Sequence, residues 1–203
     1  MDFARALAFV AVFGACASAA APVPTASPPG QIVVENHGGA LEGHTPRGFA
    51  GMGTGLFVGD NLNPSFPDGD GVQIYLTFEL PGLLEAASAA TLESDALVIR
   101  GSPFTDLGPL TAEVVRYETF GPALFDLPAA TGPVLCSRVG ETGIECDVTP
   151  AVQSVLGGGV ATIQIRLRLD RPGDGDGNPD LAMFFRTDSN TNETGLFTLT
   201  IEQ

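Results

Sequence analysis

The clearest pattern in the chain is the alternation over residues 72–80. Val72, Ile74, Leu76, Phe78 and Leu80 are apolar, and Gln73, Tyr75, Thr77 and Glu79 fall between them. A period of two over such a run predicts a β-strand with one buried face and one wet face. Ile163, Ile165, Leu167 and Leu169 repeat it, with Gln164, Arg166 and Arg168 on the other face. Further apolar runs at 32–35, 56–58, 89–100, 110–120, 134–139, 144–148, 181–186 and 195–201 predict further strands. One segment has helical spacing instead. Thr149 is placed to cap it, Pro150 suits the first helical position, Ala151, Val152, Val155 and Leu156 form a stripe, and Gly157 can close the end. Residues 36–55 and 60–71 are turn-rich and predict loops. The pattern amounts to about nine or ten strands and one short helix, which antiparallel sheets packed face to face satisfy. The expected fold is therefore all-β: an antiparallel β-sandwich of the jelly-roll type.

Composition narrows the picture. A chain of 203 residues that is 44% hydrophobic can fill the core of one sizeable domain. The formal net charge is −15, and all nine basic residues are Arg. Such a chain is repelled by nucleic acid and by anionic membrane surfaces, and it attracts cations. At the N-terminus, Arg5 precedes a ten-residue apolar run, residues 6–15, and the small residues 17–21. That order predicts a signal peptide over 1–21; the run is too short to span a bilayer, so no transmembrane span is expected in the mature chain. Phe13-Gly14-Ala15-Cys16 also resembles a lipobox. Free secretion and a lipid anchor at Cys16 both stay open. Residues 22–30 form a Pro-rich linker, and residues 31–203 the folded domain.

Export changes how the cysteines read. Cys136 and Cys146 remain as a pair in an oxidising compartment. Residues 140–143 between them are turn-like, and a hairpin folded there sets the two Cys opposite each other. The pair predicts a disulfide.

Several segments resemble the DNRLRE-type jelly-roll modules of bacterial and archaeal surface proteins, which are related to a family of carbohydrate-binding modules. The resemblance rests on residues 56–60 (Leu-Phe-Val-Gly-Asp), 75–81 (Tyr-Leu-Thr-Phe-Glu-Leu-Pro), 88–92 (Ser-Ala-Ala-Thr-Leu), 147–153 (Asp-Val-Thr-Pro-Ala-Val-Gln) and 163–169, in that order. It covers most of residues 50–203. It implies a non-catalytic module at the cell surface, and for some members polysaccharide binding. The chain has no Trp, the flat aromatic face that sugar stacking favours.

The best candidate for site chemistry is the loop from Asp170 to Asp180. Asp174, Asp176, Asn178 and Asp180 fall at alternate positions in a Gly-rich turn, with Asp170 at its start. Hard oxygen donors in a tight loop suit calcium. A solvated Asp-Gly-Asn turn uses the same residues, and further donors could come from Asp60, Asn61, Asp68 or Asp70. The polar strand faces, Gln73 and Tyr75 on one strand and Gln164, Arg166 and Arg168 on another, form a second candidate. There Arg could grip the carboxylates of an acidic polysaccharide or pair with acids of the chain itself. Catalytic signatures are lacking: there is no G-x-S-x-G and no H-E-x-x-H. The expected function is a secreted or surface-anchored, non-catalytic, calcium-stabilised module that binds extracellular polysaccharide. The alternative is a structural subunit whose partners are other envelope proteins.

Overall fold

A computed structural model describes residues 30–36, 43–46, 55–60, 71–157, 159–186 and 195–203. The expected signal peptide, most of the expected linker, and Asn61, Asp68 and Asp70 lie outside these residues. Among the described residues twelve strands form: β1 (Gln31–Glu35), β2 (Gly43–Pro46), β3 (Leu56–Asp60), β4 (Val72–Leu84), β5 (Ala89–Ser94), β6 (Leu97–Arg100), β7 (Leu110–Val115), β8 (Val134–Val139), β9 (Gly143–Asp147), β10 (Val160–Leu169), β11 (Asp180–Phe184) and β12 (Thr198–Glu202). All the pairings are antiparallel. Their order is β1-β12-β5-β9-β8-β7-β10-β4-β3-β11-β6, with β2 pairing β4.

One strand explains how this order becomes a sandwich. Val134 and Leu135 at the start of β8 pair with β7, whereas Cys136 to Val139 pair with β9. The strand thus leaves one sheet and enters the other, making a corner. On one side of it lie β9, β5, β12 and β1; on the other lie β7, β10, β4, β3, β11 and β6. Apolar residues of both sets meet in a single core, including Leu92, Ile144, Leu199 and Ile201 from the first and Ile74, Phe78, Ile163 and Leu167 from the second. The all-β sandwich expected from the alternation is the observed fold.

The disulfide is also where the hairpin placed it. Cys136 and Cys146 are register partners, with Cα atoms 4.2 Å apart and their sulfurs bonded. The bridge fastens the corner strand to β9 and is worth on the order of 2–3 kcal/mol in the chain-entropy picture.

Three local expectations change. Residues 43–46, expected in a loop, pair with β4. The 89–100 run is two strands broken at residues 95–96, so that β5 and β6 fall in different sheets. The helix forms as α2 (Thr149–Val155), preceded in the chain by a single-turn helix, α1 (Pro103–Asp106), and a 3-10 turn at Pro122–Asp126. Thr149 is not the cap of α2. Its hydroxyl bonds the backbone of Ala90, accepting from the N–H at 2.8 Å, while Asp147 Oδ1 accepts from the Thr149 N–H. The sheet claims the side chain that helix propensity would place at the cap.

Candidate metal centre and a covered sheet face

The Asp-rich loop returns to the sheet at Asp180, which opens β11 directly opposite Asp60 at the end of β3. Both residues are buried, with 2% of Asp60 and 3% of Asp180 exposed. Ser102 donates its N–H to Asp180 Oδ1 at 2.5 Å. The backbone at Asp180 is crowded. A Cβ on Gly59 would collide with the Asp180 carbonyl, and one on Gly101 would collide with its carboxylate. Both glycines also hold positive φ, 128° and 72°, which L side chains rarely adopt.

Two further carboxylates reach the same corner. Asp106, from α1, and Asp174, from the loop, come together with Asp180 so that their ligand oxygens lie within 4.8 Å of one another. Burial pushes the Asp60 carboxyl above its ordinary value. The neighbouring Asp174, Asp180 and Asp176 charges add to this, and the Asp174 N–H opposes it. Three segments remote in sequence thus deliver like charges to one small space. Carboxylate oxygens are hard donors, so the set can hold a hard cation, for which six to eight oxygens at about 2.3–2.6 Å would describe calcium.

The loop's other acids do not join this group. Asp176 Oδ1 accepts the Asn178 N–H at 2.7 Å and Oδ2 the Asn178 side-chain amide at 2.9 Å, which holds its carboxyl below the ordinary range. Asp174 Oδ1 likewise accepts the Asp176 N–H. Asp176 and Asn178 therefore shape the turn. Asp170 is exposed, its Cβ against Gly108. Of the five residues singled out in the loop, the structure groups Asp174 and Asp180. It adds Asp106, which no local pattern marks, and sets Asp60 beside them.

The polar strand faces do come together, since Arg166 on β10 pairs in register with Tyr75 on β4. They are not open. Residues 116–133 cross over them as a strap. Tyr75 is fully buried and Arg166 nearly so, while Gln73, Gln164 and Arg168 are half-buried. Tyr75 and Arg166 are therefore not an accessible ligand face, and the wet face expected on β4 is dry at Tyr75 and Thr77. Tyr75 Oη donates to the Leu124 carbonyl at 2.5 Å, and Arg166 Nη1 to the Leu127 carbonyl at 2.7 Å. Tyr75, Val115 and Leu124 pack with Tyr117, Phe120 and Leu127 as a second apolar cluster. Burial pushes the Tyr75 phenol up to about 12, although Arg166 draws it down. Glu113 on β7 sits beneath, accepting from Arg166 Nε at 2.9 Å and from Arg168 Nη2 at 3.0 Å, with Arg166 Nη2 paired to it as well. Two of the nine Arg are thus spent inside the protein.

Among the described residues no helix is long and apolar enough to cross a membrane. No protein-family model matches the chain, and no curated protein matches it.

Proposed function

We propose that the chain is a secreted or surface-anchored, non-catalytic jelly-roll module whose acidic corner takes a calcium ion. The supporting observation is the convergence of Asp106, Asp174 and Asp180, with the buried Asp60 beside them. Asp180 is buried, Asp106 half-buried and Asp174 exposed, and like charges brought this close favour a cation that offsets them. A divalent ion there would tie α1, the 170–180 loop and β3 together. Its role is to stiffen a loop-rich end of the sandwich, as suits a domain working where calcium is plentiful.

Of the two partner classes, the covered sheet favours proteins over polysaccharide. The strap occupies the β4–β10 surface that Gln73, Tyr75, Gln164, Arg166 and Arg168 would have offered to a glycan. The module reads as a piece of an extracellular assembly.

The test is thermal unfolding in EDTA and in millimolar calcium. A rise in Tm of several degrees with calcium is expected, reflecting ligand linkage to the native state. It should be lost in Asp180→Asn and kept in Asp176→Asn. No rise in the wild type would overturn the calcium assignment.

A further inference from the structure

The strap covers one outer face of the sandwich; among the described residues no such strap crosses the other. Register and burial fix which side chains stand on it. In β1, Ile32 and Val34 pack on the core, so Gln31, Val33 and Glu35 point out. By the same alternation Thr198, Thr200 and Glu202 point out from β12, Thr91 and Glu93 from β5, Glu145 and Asp147 from β9, and Leu135, Ser137 and Val139 from β8. The register lines up Glu35, Thr198, Glu93, Glu145 and Ser137 as one row across five strands. Val33, Thr200, Thr91 and Asp147 form the next. Five carboxylates thus share this face, and no Arg points out from its strands. Arg138 of β8 is turned to the Phe104 ring instead.

Two features make this more than a solvated acidic surface. Glu93 stands directly opposite Glu145, a like-charge cross-strand pair that weakens a sheet until a cation lies against it. The middle of the row, Thr198, Glu93 and Glu145, opens on a cavity of about 400 Å3 that Asp95, Val139 and Thr142 also line. Arg186 also lines it, paired with Asp95 at 2.7 Å, so that three carboxylates, Glu93, Asp95 and Glu145, face one guanidinium there. On the flank, Leu135 and Val139 are 67% and 53% exposed. Carboxylates in a concavity beside bare aliphatic groups match a guanidinium or ammonium on its methylene stem.

We infer that the β1-β12-β5-β9-β8 face docks a basic, extended segment of another protein, and that one of its Arg or Lys side chains enters the cavity between Glu93 and Glu145. This deepens the reading of an extracellular assembly module by giving the chemistry of its partner, and it rests on that reading. Charge complementarity of this kind raises the encounter rate and selects the partner.

The probe is fluorescein-labelled octa-arginine, followed by anisotropy at 100 mM salt. Glu93→Gln with Glu145→Gln should weaken binding at least tenfold. Glu79→Gln with Glu85→Gln removes the same charge from exposed positions off this face and should change it less than twofold. Val139→Ser should weaken it a few-fold. Equal losses in the two double variants would show generic attraction to an acidic protein and overturn the inference, as would no binding by the wild type. Circular dichroism melts confirm that each variant is folded. Running the titration in EDTA separates it from the calcium reading, since an empty corner leaves the sheet face unchanged.

Discussion

The two outer faces of the sandwich carry the same kinds of residue and treat them in opposite ways. On the β7-β10-β4 side, Glu113, Arg166, Arg168 and Tyr75 are roofed by the 116–133 strap, and each finds a partner inside the protein. On the β1-β12-β5-β9-β8 side, Glu35, Glu93, Glu145, Asp147 and Glu202 point outward, and among the described residues no Arg points out from those strands, Arg186 reaching only the cavity beside Glu93 and Glu145. A buried ionic group must be neutralised by its own fold, because desolvation is expensive. An exposed one need not be, because water and salt screen it. The covered face therefore contributes to stability and specificity, whereas the open face leaves its charge for something outside the molecule.

Breaking the covered face should have the largest effect. Glu113→Ala leaves two guanidiniums without their carboxylate, Arg166 in a nearly dry setting, and is expected to cost about 3–5 kcal/mol in urea unfolding. A loss below about 1 kcal/mol would mean that water reaches the network and that the strap is no roof. Tyr75→Phe is smaller: it strips the Leu124 carbonyl of its donor, for about 1–2 kcal/mol. The same phenol gives a pH signature. Its folded pKa is about 12 against an ordinary value of 10.0. The folded state thus holds the proton longer, and the contribution of Tyr75, complete below pH 10, is lost as pH rises to about 12. Base titration of stability should show this extra fall in the wild type and not in Tyr75→Phe. Smallest, and opposite in sign, is Glu145→Thr on the open face. Removing the repulsion with Glu93 should stabilise by about 0.2–1 kcal/mol, shrinking in molar salt. A destabilisation would mean that this carboxylate has a partner within the fold.

The contrast also marks what the sequence could and could not reveal. Alternation over residues 72–80 and 163–169 identified the strands and their core side, because a period of two depends only on the pleat. It called the opposite side wet, and at Tyr75 and Thr77 that is incorrect. What covers them comes from residues 116–133, and no local pattern on β4 carries that information. The Cys136–Cys146 bridge was legible because its hairpin is local. In the acidic corner, Asp174 and Asp180 were legible from the Asp-Gly spacing. Asp106 was not, since it enters from a one-turn helix nearly seventy residues upstream. Asp176 and Asn178 share the spacing but bond each other, so alternate placement alone did not separate a ligand from a turn-former.

The most direct test of the central claim, a calcium ion held by the Asp106, Asp174 and Asp180 carboxylates, is calorimetric titration of the EDTA-stripped protein with calcium. The account predicts a saturable binding heat near one ion per chain that disappears in Asp180→Asn and persists in Asp176→Asn. No heat in the wild type, or an undiminished heat in Asp180→Asn, would contradict it.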